Sequence, residues 1–207
     1  MSAKDYAIIL LASGLSKRFG AEDKLLARLA GQSVIDHTLG HIAPVGFGLY
    51  IAVIGALANM ESALSDKLKA AGYQIIVNPH PENGQGSSLA LGAKAVIEAG
   101  FEKACIALAD MPLVPSEHFT RLIALAGSSD QVVSGADIAS RDVTLPPCIF
   151  SGQALNLLTQ ASGDKGAKAY LRGNDVRREK LSHWAAKDID TFDDLQALEL
   201  HMKKTQT

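Results

Sequence analysis

Strand-length apolar runs alternate with helix-period segments along this chain, and that alternation restricts the fold more than any single residue does. Residues 6–12 (YAIILLA), 49–54 (LYIAVI), 74–77 (QIIV), 104–109 (ACIALA) and 131–134 (QVVS) are short and almost continuously hydrophobic. Such runs suit parallel strands covered on both faces. Between them, residues 33–41, 59–71, 87–99 and 116–126 have helical period. In the first of these, Val34, Ile35, Leu39 and Ile42 recur at helical spacing. Gly72, Gly100 and Gly127 stand where helices close, and Ser87 or Ser88 is expected to cap the third helix. Strand and helix in turn imply right-handed βαβ units in a three-layer α/β/α sandwich with a mostly parallel sheet. After Gly135 the pattern loosens. Residues 146–150 read as a further strand, and 151–160, 165–172 and 192–203 as helices.

The chain has 207 residues, 47% of them apolar, so one domain over 1–207 with a sizeable core is expected. A formal net charge of −2 provides no global field for nucleic acid or an anionic membrane. No run of 18 apolar residues is present, and residues 6–12 are too short for a signal segment, which predicts a cytoplasmic protein. Cys105 and Cys148 lie in apolar surroundings without CxxC spacing and read as buried thiols.

In open α/β sheets ligands sit beyond the C-terminal ends of the strands, which directs attention to the loops after Ala12, Val77, Ala109 and Ser134. The first, LLASGLSKRFGAEDKLL (residues 10–26), is neither a Walker A loop nor GxGxxG. It still has the parts of a phosphate holder. Ser13 and Gly14 allow main-chain N–H groups to approach phosphate oxygens, Arg18 supplies a planar fork, and Lys24 a mobile point charge. Lys17 reads as solvent-facing. In the second, NPHPENGQGSSLALG (78–92), glycines and serines could wrap a planar base, or simply connect strand to helix; His80 reads as a loop histidine.

The third loop is the most informative. ACIALADMPLV places Asp110 at the end of a buried strand, where an unpaired carboxylate is costly. It must face a cation or the cleft, and oxygen-ligated Mg²⁺ is the usual companion of nucleotide phosphates. In DIDTFDDL (188–195), Asp188 and Asp190 point the same way if the segment is extended. Thr191, Asp193 and Asp194 suit the start of the last helix. In SGDKGAKAYL (162–171), Asp164 and Lys165 sit between glycines, either in a charged turn or beside a second anionic substrate. His37 and His41 lack the glutamate of HExxH, and Trp184 and Tyr170 read as packing residues.

Taken in order, LLASGLSKRFGAEDKLL, NPHPENGQGSSLALG, ALADMPLV, PPCIF, GDKGAKAYL and DIDTFDDL resemble the MobA-like NTP transferase family, and most closely its molybdenum cofactor cytidylyltransferase branch. The resemblance covers nearly the whole chain. It implies a Rossmann-like nucleotidyltransferase that uses Mg²⁺ to move CMP from CTP onto a molybdopterin-type phosphate, with a molybdenum hydroxylase as recipient of the product. By that resemblance Ala12, Ser13, Gly14, Arg18 and Lys24 belong to the triphosphate region. Asp110 binds metal, with Asp190 or Asp188 as second contact. Asn78, Gly84, Ser87 and Ser88 lie near base and ribose, and residues 146–150 with Asp164 and Lys165 face the pterin. Ser13, Phe192 and Cys148 depart from the usual pattern, which has alanine or glycine, proline and valine there. Two other classes compete: transfer to a sugar phosphate or methylerythritol phosphate, and a non-catalytic delivery module for molybdenum hydroxylases. A nicotinamide-dependent oxidoreductase is disfavoured by the missing GxGxxG.

Overall fold

The computed structural model describes residues 2–14, 19, 23–56, 62–128, 130–138, 141–164, 166–171 and 176–205. In chain order the strands are β1 (Ala7–Ala12), β2 (Arg28–Leu29), β3 (Gln32–Ser33), β4 (Leu49–Gly55), β5 (Gln74–Asn78), β6 (Lys103–Leu108), β7 (Gln131–Ile138), β8 (Arg141–Ser151) and β9 (Val176–Lys180). The helices are α1 (Val34–Ile42), α2 (Ala63–Ala70), α3 (Gln85–Glu98), α4 (Ser116–Leu125), α5 (Gly152–Leu158) and α6 (Phe192–Thr205).

Seven strands form one sheet in the order β5-β4-β1-β6-β8-β7-β9, and β2 with β3 makes a small separate hairpin. β1, β4, β5 and β6 are mutually parallel, β8 runs antiparallel to both β6 and β7, and β9 is parallel to β7. The sheet is therefore mostly parallel, as expected.

β1 shows why its sequence is apolar throughout. Ile8, Leu10 and Ala12 enter one core with α1, α2, α4 and α6 through Val34, Leu64, Leu122 and Leu195. Ala7, Ile9 and Leu11 enter the opposite core with Leu89, Ala93 and Val96 of α3 and Leu155 and Leu158 of α5. Each such aliphatic side chain contributes roughly 1.5–3 kcal/mol by burial, so both faces of the central strand must be hydrophobic. On the second face α3 packs so closely that a Cβ on Gly92 would lie 2.5 Å from Ile9 Cγ2.

Several local expectations need correction. Residues 165–172 do not form an α-helix; the described part holds a 3₁₀ turn, Ala167–Tyr170. α3 starts at Gln85, not at Ser87 or Ser88, with Gly84 at its N-cap (φ 88°, ψ 171°). β9 was hidden because VRREK is an edge strand, and charge suits an edge. The β2–β3 hairpin was hidden by its brevity; His37 Nε2 meets Leu29 O at 2.8 Å there. α2 begins at Ala63 behind Ser62, and residues 59–61 of the expected helix lie outside the described residues. Both cysteines are buried and free, and burial pushes their thiols up, Cys148 to about 12.

Strand order decides where the site is. From β1 the chain steps to β4 and β5 on one side, then returns to β6 on the other. The crevice beyond the C-terminal ends of β1 and β6 is the topological switch point.

Candidate active site

Two loops leave the sheet at that point, Ser13–Gly14 after β1 and Ala109–Asp110 after β6, joined where Ala109 N–H donates to Leu11 O at 3.1 Å. A third segment arrives from far along the chain. Ile189 is fully buried and its N–H donates to Asp110 O at 3.0 Å. With Ile189 anchored inward, Asp188 and Asp190 flank Asp110. Burial alternates along the segment, with Ile189 buried between an exposed Asp188 and a half-buried Asp190.

Lys24 closes the group. Its Nζ lies 2.6 Å from Asp110 Oδ2 and 3.1 Å from Asp190 Oδ1. It is held there by its neighbours: Leu25 is buried, its N–H donates to Asp23 Oδ1, and its carbonyl accepts from Ile35 N–H. Lys24 is 6% exposed. Burial by itself lowers its pKa, but the Asp110 charge and the hydrogen bonds to Asp110 and Asp190 outweigh that and hold it above the ordinary value. The ammonium is thus a permanent positive charge. Asp188 is raised as well, which for a carboxylate disfavours the charge: loss of solvent, then the charges of Asp110 and Asp190, push it up.

At the start of α6, Thr191 and Asp194 cap reciprocally. Asp194 N–H donates to Thr191 Oγ1 at 3.2 Å, while Asp194 Oδ2 accepts from the N–H groups of Thr191 and Asp190 at 2.8 and 3.2 Å. Burial would raise the Asp194 carboxyl, but these donors hold it low. Asp194, seen in the sequence only as a helix-start residue, therefore also orients Asp190.

The second wall is neutral. Asn78 Nδ2 donates to Ser87 Oγ and Ser88 Oγ, both at 2.8 Å, and Ser88 Oγ is 2.6 Å from Ser13 Oγ. Ser87 Oγ donates to Gly84 O, and Asn78 Oδ1 accepts from His80 N–H. Asn78 and Ser88 are buried. Their side chains bond one another and tie the end of β5 and the start of α3 to the end of β1. Against this wall leans the 162–166 turn: Gly86 N–H donates to Gly163 O at 2.8 Å, and a Cβ on Gly84 would fall 2.6 Å from Gly163 C.

Between the walls is a cleft of about 390 Å³ bordered by Ser13, Gly14, Glu82, Gly84, Gln85, Asp110 and Asp164. Ala12 is buried in the core at the end of β1, and Leu11 rather than Ala12 lines the cleft. Glu82 and Gln85 escaped sequence reasoning because they stand inside a stretch read for its glycines and serines; the turn Pro81–Asn83 ahead of α3 brings them to the rim of the cleft. Arg18 and Lys165, expected at phosphate and pterin, lie outside the described residues, as does Lys17. Lys24, Asp110, Asp188 and Asp190 are brought together. His80 pairs with Glu82 at 3.1 Å on the surface. Trp184 stacks on His201 at 4.2 Å, and Tyr170 packs partly buried against the second core.

The carboxylates also suit a hard cation. Asp110 Oδ1 is buried and has no hydrogen-bond partner among the described residues. Asp110, Asp188 and Asp190 face one ammonium, and oxygen donors of this kind match Mg²⁺. Among the described residues no three His, Cys, Asp or Glu groups form a closed ligand set, since Lys24 stands between two of them.

The model of the MobA-like NTP transferase domain matches residues 8–181. The chain belongs to that family. It is thus a nucleotidyltransferase, of a family acting on a nucleoside triphosphate and a phosphorylated acceptor. Among curated relatives, the purine catabolism protein PucB of Bacillus subtilis is 26% identical over 92% of this chain and 91% of its own length. A probable molybdenum cofactor guanylyltransferase of Haloferax mediterranei has the same identity and coverage. The bifunctional protein GlmU of Agrobacterium fabrum is 28% identical over 67% of this chain, a span of only 29% of that larger protein. Of solved structures, Rv0371c of Mycobacterium tuberculosis in complex with manganese superposes with TM-score 0.72 at 22% identity, covering 94% of this chain and 98% of that one. The 4-diphosphocytidyl-2C-methyl-D-erythritol synthase of Anaerococcus prevotii does so with TM-score 0.78 at 14% identity, covering 97% of each. These likenesses bear out the Rossmann-like fold. Among the described residues no helix is long and apolar enough to cross a membrane.

Proposed function

We propose that this nucleotidyltransferase moves CMP from CTP onto the terminal phosphate of a molybdopterin-type cofactor in the cytoplasm, the product passing to a molybdenum hydroxylase. The observation that carries the reading is Lys24 held between Asp110 and Asp190 at the β1–β6 switch point. An oxygen of the acceptor phosphate bonds to the α-phosphorus, the bond from that phosphorus to the α–β bridging oxygen breaks, and pyrophosphate leaves with the electron pair. The nucleophile needs no general base, because a phosphomonoester with a second pKa of about 6 is already mostly dianionic at pH 7. Catalysis then depends on positioning and charge neutralisation.

In this reading Lys24, with Arg18, neutralises charge on the departing pyrophosphate. Gly14, exposed at the head of the cleft, lets phosphate approach the main chain. Ser13, Asn78, Ser87 and Ser88 hold the second wall rigid for base and ribose, Gly84 brings Gly163 and Asp164 towards the acceptor, and Lys165 is assigned to the acceptor as the family resemblance implies. Asp110, with Asp190 and Asp188, would hold Mg²⁺, whose bound charge offsets that of the α-phosphate.

Pyrophosphate release with CTP, GTP, ATP or UTP and a molybdopterin-type acceptor tests the reading. Release with CTP is expected. Release with GTP alone would correct the nucleotide, a second reading favoured by the full-length relative named as a guanylyltransferase. No release with any nucleotide would favour a delivery module.

A further inference from the structure

Lys24 occupies the place where the nucleotide's cation is needed. Its ammonium bridges Asp110 Oδ2 and Asp190 Oδ1, on the two carboxylates that would hold a divalent cation. We propose that Lys24 is a placeholder cation, which blocks divalent-metal loading in the nucleotide-free protein and is surrendered to the triphosphate when nucleotide and metal arrive together. This rests on the reading of the cleft as a nucleotidyl-transfer site.

Two observations and one physical rule lead there. Lys24 is 6% exposed, so its ammonium cannot leave the carboxylates for bulk water without losing both partners in a buried place. An ammonium and a divalent cation cannot share one pair of carboxylate oxygens, because like charges a few ångströms apart repel strongly away from water. Yet one ammonium satisfies these carboxylates incompletely: Asp110 Oδ1 is buried with no partner among the described residues. The site therefore favours more positive charge, and a bound triphosphate would give the displaced lysine a new anionic partner.

The way out is short. Gly14 borders the cleft, and a Cβ placed on it would lie 3.9 Å from Lys24 Cε. Rotation about the four-carbon stem of Lys24 then carries the ammonium towards the main chain at Gly14, where phosphate is expected. Metal and nucleotide must each favour the binding of the other, by the same factor. A protein built this way does not fill its carboxylates with divalent cation while no nucleotide is present.

Binding of Mn²⁺ to the full chain, read from the loss of its free electron paramagnetic resonance signal, tests this. It is measured with and without α,β-methylene analogues of CTP and GTP, each in turn, after correction for Mn²⁺ held by the analogue. Wild-type protein should bind Mn²⁺ weakly alone and about tenfold or more tightly with an analogue, the usual range of such coupling. Lys24→Gln and Lys24→Met should each bind Mn²⁺ alone about tenfold more tightly than wild type, with most of the coupling lost. Mn²⁺ affinity in both variants equal to or below that of wild type overturns the placeholder and leaves the metal site standing. So does wild-type affinity that no analogue changes, a comparison that holds even if the variants fail to fold. Asp110→Asn separates the levels: undiminished Mn²⁺ binding in that variant puts the metal elsewhere, and both the placeholder and the reading of the cleft then fall.

Discussion

On the β1–β6 side of the cleft the buried polar side chains are charged and incompletely matched, whereas on the β5–α3 side, behind the exposed Glu82 at the rim, they are neutral and paired with one another. Lys24 serves two carboxylates while a third, Asp188, feels their repulsion. Across the cleft Asn78, Ser87, Ser88 and Ser13 close a network without a formal charge. A buried group left under-satisfied raises the energy of the free protein and awaits a ligand. A satisfied network lowers it and fixes geometry. The first wall is built for chemistry and the second for support, and substitutions should separate the two.

Lys24→Gln and Asp110→Asn should have the largest effects. Turnover should fall roughly 10²–10³-fold, the cost of losing one charge-stabilising group, while circular dichroism keeps the native spectrum; the unfolding midpoint should fall, because either change strands a partner of a buried ion pair. Near-normal pyrophosphate release in either variant would remove the charged wall from catalysis.

A neutral network also supports β8, and there pH is the probe. Ser134 Oγ donates to Pro147 O at 2.6 Å and so accepts from His118 Nε2–H at 2.7 Å, leaving Nδ1 buried and bare of any partner among the described residues. Burial, then the Arg121 charge, lowers the His118 pKa to about 4. Between that value and the unfolded value of about 6.5 the unfolded chain binds the extra proton, so stability rises with pH. It is fully present above pH 6.5 and lost as pH falls towards 4, by about 3 kcal/mol. Urea unfolding across that range should show the slope, and His118→Gln should flatten it.

Gly84→Ala comes next. At φ 88° and ψ 171° an alanine is strained, and its Cβ would meet the 162–166 turn. A loss of about 1–3 kcal/mol is expected, with a raised KM for the acceptor. An unchanged unfolding midpoint would show that the turn is not docked there.

Ser88→Ala should cost about 1–3 kcal/mol, because it strands an Asn78 donor. Its effect on kcat should be far smaller than that of Lys24→Gln; an equal loss would erase the distinction between the walls. Smallest is Asp194→Ala, at about 1 kcal/mol for the lost cap. Because Asp194 also holds the N–H of Asp190, activity should require more divalent cation, which a metal titration of turnover would reveal.

Much of this was legible without coordinates. The apolar runs at 6–12 and 104–109 suited strands buried on both faces, and the cost of an unpaired carboxylate directly after one of them turned Asp110 towards a cation or the cleft. The apolar Ile189 between Asp188 and Asp190 marked the residue that turns into the core. Serines were harder. Ser87 and Ser88 read as helix caps because local sequence favours that use, but the backbone at Gly84 starts α3 earlier and frees both hydroxyls for Asn78. β9 carries charge at nearly every position, so no periodicity marked it. It is a strand because β7 offers it a parallel edge.

What the sequence by itself determined is the set of elements and the chemical inventory, since burial on two faces and the cost of an unpaired carboxylate act locally and leave their mark in composition and spacing. What only the tertiary structure decided is which charges meet. Lys24, Asp110 and Asp190 are separated by 86 and 166 residues along the chain. No local rule couples such positions. They converge because strand order makes the end of β1 a neighbour of the end of β6, and because a buried Ile189 pins the last segment against Asp110.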